Sequence, residues 1–214
     1  MGVVEKIIRE VRDVGKGVLS DFAGDLAKSF AESRTPELTR LITRENNLPY
    51  LWRYYFDERK KKAPGSLLSR PVEKDIEGGN FGVFVHRFVA SDTPNEVHSH
   101  PWEWSVSLIL AGAYREIKYT WKPKLMTTST ETRRKIEAVE LTNRREALFT
   151  PFDINTIDYH DAHRVELIGK ECWTLFVHGP RKSTWGFANE GTGAFREIRV
   201  KTFEHGRPIK EKIA

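Results

Sequence analysis

The chain has 214 residues, of which 39% are hydrophobic and 30% charged, the balance of a globular protein rather than a disordered one. Thirty-five bases against thirty acids leave a net charge of +5, without the single-sign field that nucleic-acid binders carry. One cysteine, Cys172, excludes an internal disulfide, and no apolar run reaches the about eighteen residues of a membrane-spanning helix.

This length suits one domain, or one domain with an appendage, and buries a core without covalent staples. Aromatic residues make up 11%, with six Trp and twelve Phe, a load suited to filling a barrel or sandwich. At the N-terminus charges recur from Glu5 onward, which breaks the apolar core a signal peptide needs. Lys6 stands where a myristoylation signal requires Ser or Thr. A cytoplasmic, reducing compartment is the expected location.

Residues 3 to about 44 read as helix. Val4, Ile8, Val11, Val14, Val18, Phe22, Leu26 and Phe30 recur at steps of three and four, which places them on one slowly drifting face. Gly15, Gly17 and Gly24 weaken the middle and mark a candidate break. Thr35-Pro36-Glu37 has the form of an N-cap with proline at the first helical position, opening a second short helix through Leu38 and Leu41. Over residues 1–34 six bases balance six acids, whereas a membrane-surface helix carries surplus Lys and Arg. The stripe is therefore expected to pack on the body or on a partner subunit.

After Asn47 the texture changes. Pro49 to Phe56 is aromatic-rich, Arg59 to Lys62 is a basic run, and residues 63–79 read as a loop. From Phe81 short runs rich in Val, Ile, Phe, Tyr and Trp alternate with turn residues. Strands are expected near 81–90, 103–111, 113–121, 134–141, 146–150, 163–168, 172–178 and 195–202. This spacing points to an all-β sandwich or barrel. The expected organisation is a helical extension over 1–46, a β-barrel over 47–204 and a C-terminal tail over 205–214.

The chemical signal is Val97-His98-Ser99-His100-Pro101-Trp102-Glu103. Two His at i and i+2 on an extended segment point to one side, close enough to share a metal. A second cluster, His160-Asp161-Ala162-His163, opens a later β segment. Three neutral nitrogens, with or without a carboxylate, suit Fe, Mn, Ni, Cu or Zn. Glu103 is a candidate fourth ligand if a bulge follows Pro101. On a regular strand its odd offset from His100 turns it away. His160 reads as a loop or supporting histidine, and His86, between Phe84 and Phe88 on one strand face, as a buried core residue. His178 is placed to line a pocket, and Arg87 to enter the cavity or pair with Asp92.

These residues resemble the cupins, small jelly-roll barrels of the double-stranded β-helix kind. His98, His100 and Gly112 fit the first cupin motif; its glutamate place falls on Trp104 or Ser105, with Glu103 slightly early. Pro151 and His163 fill places in the second motif, at a stretched spacing. More narrowly, the chain resembles uncharacterised cupin-like proteins of bacteria and phages that carry an H-x-H-P-W segment. The shared marks are His98 to Trp102, Ser107 to Leu110, Gly112, Tyr114, His163 to Leu167, Trp173 to Leu175, Gly179 to Arg181 and Trp185 to Phe187.

The resemblance implies a metal-dependent cupin enzyme, foremost a non-haem iron oxygenase acting on a small molecule. It implies His98, His100 and His163 as metal ligands, with Fe(II) first and Mn, Ni or Zn as alternatives. Tyr114 is then a candidate for proton chemistry near the metal, and Arg181 for anchoring a substrate carboxylate or phosphate. The alternatives are a metal-dependent isomerase or hydrolase, and a non-catalytic ligand-binding or structural cupin with a stabilising metal. A homodimer is expected, without nucleic-acid or membrane partners.

Overall fold

The computed structural model describes residues 3–34, 39–43, 48–56, 82–128, 134–182 and 185–198. The basic run at 59–62, the 63–79 loop, the Thr35-Pro36-Glu37 cap and the 205–214 tail lie outside the described residues. The chain is mainly β, an antiparallel sheet curled into a jelly-roll barrel, with one N-terminal helix laid on its outside.

Helix α1 (Val3–Glu32) runs unbroken through Gly15, Gly17 and Gly24. The expected second helix is corrected: Leu41 lies in strand β1 (Thr39–Thr43), which pairs with β2 (Pro49–Tyr55). The β-branched Thr39, Ile42 and Thr43 favour strand, and a partner strand supplies the ladder that a short helix would have to form alone.

The remaining strands are β3 (Gly82–Phe88), β4 (Glu96–Ser99), β5 (Trp104–Thr128), β6 (Arg134–Phe149), β7 (Ile154–Asp158), β8 (Asp161–His178), β9 (Gly186–Asn189) and β10 (Phe195–Glu197). Three expected strand pairs are each a single long strand: 103–111 with 113–121, 134–141 with 146–150, and 163–168 with 172–178. Glycines that read as strand ends are bends within strands. Gly112 has φ 75°, and a Cβ there would strike the Glu171 carbonyl, so the bulge in β5 requires glycine. Gly169 makes the corresponding bend in β8 with φ 86°.

Strand β8 organises the barrel. Residues 172–178 lie between β3 and the first part of β5; residues 161–163 lie between β4 and the later part of β5. The bends fold both long strands around one interior. Tyr55, Phe84, Trp102 and Phe176 fill part of it beside the histidines, while Val97, Trp121, Val139, Ala162, Ala188 and Phe195 form a separate cluster on the opposite face of the sheet.

Helix α1 meets the outer sheet face through small residues. Ala27 packs with Tyr54, Val85 and Trp173, the Ser20 hydroxyl donates to the Leu110 carbonyl at 3.3 Å, and Gly24 lies against Ala111. Residues 20, 24, 27 and 31 share one helix face, and the stripe lies almost opposite. The stripe therefore divides: Phe30, at its end, packs on the body against the Tyr54 and Trp173 cluster and stacks on Phe56, whereas the preceding residues do not follow it. Val18, Phe22 and Leu26 are 66%, 68% and 61% exposed. Among the described residues no helix is long and apolar enough to cross a membrane.

Candidate metal centre

Strand β4 is short, and its extended backbone turns His98 and His100 to the same side, as their spacing predicts. The β4–β8 register sets His98 directly opposite His163. The three rings stand in a near-equilateral triangle, with centroids 4.5 Å (His98–His163), 5.0 Å (His100–His163) and 5.1 Å (His98–His100) apart. One nitrogen from each lies within 4.8 Å of the others, and Nε2 of His100 and of His163 are 2.8 Å apart.

Two of the three histidines have a carboxylate behind them. The His163 Nδ1 lies 2.6 Å from Oε1 of Glu116, a residue of β5 that is almost fully buried. An ionised carboxylate only accepts, so Nδ1 carries the proton and the Nε2 lone pair turns toward the cluster. Asp92 accepts the Val165 N–H at 2.6 Å and places its carboxylate 3.7 Å from Nδ1 of His98. A hydrogen-bonded carboxylate–histidine pair such as Glu116–His163 orients a metal-ligating imidazole and raises its basicity.

Glu116 is held in turn by a closed polar network. Lys118 Nζ lies 3.0 Å from Glu116 Oε2 and also donates to Asn155 Oδ1 at 3.0 Å and to the Thr156 carbonyl at 2.7 Å. Asn155 Nδ2 lies 2.7 Å from Glu116 Oε1 and 3.1 Å from the Tyr114 hydroxyl. Burial pushes the Glu116 carboxyl up, but the His163 hydrogen bond and charge, with Lys118 and Asn155, outweigh it and hold the pKa at about 2. Burial also keeps two of the ligand candidates neutral: His98 is lowered to about 4 and His100 well below its ordinary value. Three convergent imidazoles, His163 buried and His98 and His100 half-buried, are a donor set for a divalent transition metal, and their being nitrogen-only disfavours Mg and Ca.

The other expected site residues lie elsewhere. Glu103 is 45% exposed and bonds Lys182 at 2.8 Å; the structure does not bring it to the cluster. Arg181 is exposed on the segment bridged to Trp102. Tyr114 is buried and joins the network through Asn155, with its hydroxyl pKa raised by burial. His160 sits in a turn, its ring against Tyr159. His86 is buried, and its Nε2 accepts from the side chain of Arg53 at 3.0 Å rather than from backbone. His178 is buried and donates from Nδ1 to the Gly179 carbonyl at 2.8 Å. Arg87 pairs with Glu171 at 2.7 Å, not with Asp92.

Glu116, Lys118, Asn155 and Asp92 were not singled out by sequence. Alternation offered one signal: Tyr114, Glu116 and Lys118 share a face with the interior residue Ile109 only after the bulge at Gly112 is counted. Aromatic rings wall the cluster. Trp102 stacks on His100 at 5.4 Å and on His178 at 4.2 Å, and Phe187 lies 5.8 Å from His98.

No family model matches the chain, and no curated protein matches it. Among solved structures it is similar to Bacillus subtilis oxalate decarboxylase, studied for its Mn(II) centres, at 13% identity and TM-score 0.32 over 50% of this chain and 23% of that one. It is similar to the hydroquinone 1,2-dioxygenase PnpCD, in complex with Cd2+ and 4-hydroxybenzonitrile, at 10% identity and TM-score 0.33 over 47% and 58%. It is similar to hydroxypropylphosphonic acid epoxidase from S. wedmorenis at 11% identity and TM-score 0.37 over 68% and 57%. The chain thus spans between about a quarter and three-fifths of these proteins' lengths. They are cupin-fold proteins, and at these scores the fold assignment rests on this chain's own strand order and curl.

Proposed function

We propose that His98, His100 and His163 hold one divalent metal, with iron(II) first and Mn, Ni or Zn as alternatives, and that the protein is a metal-dependent oxygenase of the cupin kind acting on a small molecule. The observation that carries this reading is the convergence of three imidazole nitrogens within 4.8 Å, with carboxylates behind two of the rings. As iron the metal supplies oxygen chemistry; as Mn, Ni or Zn it supplies Lewis-acid catalysis of isomerisation or hydrolysis.

The chain's own residues do the rest. Glu116 holds the proton on His163 Nδ1 and keeps Nε2 free to bind. Trp102, Phe176 and Phe187 restrict water at the cluster and orient an apolar substrate surface. The Trp102 N–H is buried beside His100 with no hydrogen-bond partner among the described residues, a donor suited to a substrate oxygen. That donor favours a ligand-holding site over a metal that only staples the fold. A non-catalytic ligand-binding barrel uses the same residues and is separated by turnover alone. The expected setting is the cytoplasm.

Elemental analysis of the full chain tests the reading. About one metal ion per chain is expected, lost on His98→Ala and on His163→Ala, and oxygen-consumption screens with the iron form follow. Metal retained after either substitution refutes the ligand assignment. No metal after reconstitution leaves a binding or structural barrel.

A further inference from the structure

Over the described side chains, residues 15–32, helix α1 rests on the barrel by one face. Ser20, Gly24 and Ala27 seat it on the outer sheet, with Ala27 almost fully buried. On the opposite side Val18, Leu19, Phe22 and Leu26 are each more than half exposed. Leaving four large apolar side chains in water on a helix already anchored elsewhere gains nothing for the single chain.

We infer that this face is the contact surface for a second copy of the chain, packed as an antiparallel α1–α1 pair about a two-fold axis near Phe22. Three features select that occupant. The first is area. The four side chains expose on the order of 450 Å2, within the range of the largest patch on a lone chain (about 300–600 Å2) and over half of one partner's share of a standard interface, about 800 Å2.

The second is self-complementarity. A two-fold contact requires one patch to fit itself. Val18, Phe22 and Leu26 form an i, i+4 row, so an antiparallel copy sets Phe22 on Phe22 and Val18 on Leu26. The third is charge. The described side chains of α1 carry Asp21, Asp25 and Glu32 against Lys16 and Lys28, the wrong balance for an anionic lipid surface. The inference is independent of the metal reading.

The test is the solution mass of the full chain by light scattering, with Phe22→Glu, Leu26→Glu and Leu148→Glu variants. Leu148 is exposed on β6, outside the proposed face, and serves as the control. The expected result is a wild-type dimer of twice 24.8 kDa, dissociated by either helix substitution and kept by Leu148→Glu, with unchanged circular dichroism in all three. A monomeric wild type overturns the inference. So does a dimer that survives both helix substitutions, or a monomer that instead sediments with phosphatidylserine vesicles. Phe22→Ala supplies the same reading if a glutamate variant fails to fold.

Discussion

Glu116→Gln is the substitution whose consequences the structure specifies most fully. The carboxylate has three partners: His163 Nδ1 at 2.6 Å, Asn155 Nδ2 at 2.7 Å and Lys118 Nζ at 3.0 Å. A glutamine keeps one accepting oxygen for His163 and Asn155, but turns an NH2 toward the Lys118 ammonium. Loss of such a carboxylate behind a metal-ligating histidine costs about 10–100-fold in metal affinity, or about 1.4–2.7 kcal/mol. Breaking a buried ion pair costs about 3–5 kcal/mol, and the lower end applies here because Lys118 keeps Asn155 Oδ1 and the Thr156 carbonyl. Chelator competition reads the affinity, urea unfolding reads the stability, and nitrogen NMR of His163 reads which ring atom holds the proton. The double variant Glu116→Gln/Lys118→Met removes both charges; it is expected to recover stability but not metal affinity. Affinity within twofold of wild type, in a folded Glu116→Gln protein with the His163 tautomer unchanged, refutes the positioning role.

Gly112→Ala is expected to destabilise by more than Gly169→Ala. Both glycines have positive φ, which costs about 1–2 kcal/mol for a residue with a side chain, but of the two only at 112 does a Cβ strike backbone, while at 169 nothing among the described residues lies within 4 Å. Equal urea midpoints for the two variants contradict the close packing of β5 on β8. Chelation of a metal-loaded sample should lower the unfolding free energy by about 2.7 kcal/mol where free metal stood at a hundred times Kd, and leave a His98→Ala sample unmoved. Acid should weaken the fold through His86 and His178, which burial holds neutral, His86 well below its ordinary value and His178 at about 4. Their folded values lie below the unfolded 6.5, so the unfolded chain binds more protons and stability falls as pH drops below about 6.5. For His178 the loss levels off near 4, at up to about 1.4 kcal/mol per pH unit. In the chelated protein, His178→Gln is expected to flatten that slope; an unchanged slope assigns the acid loss to other groups.

The histidine pair was legible because alternation along an extended backbone is a property of the chain itself: residues i and i+2 share a side whatever lies across from them. The long N-terminal helix was legible for the same reason, through its apolar period. Local signals failed where a partner decided. Leu41 followed a helix-like start yet sits in β1, because β2 offers it a ladder. Glycines at 112 and 169 read as strand ends, and only the folded barrel shows long strands bending through them.

The sequence by itself determined a β-rich chain with a helical extension and three histidines of metal-binding type. Tertiary structure alone decided which groups meet. Strand register puts His98 against His163, a bulge turns Glu116 and Lys118 inward to hold that ring, and Glu103, next to the motif, ends at the surface with Lys182. It also decided which side of α1 touches the barrel. Periodicity identifies an apolar stripe but not its partner, and here the small residues opposite it allow the closer approach to the sheet.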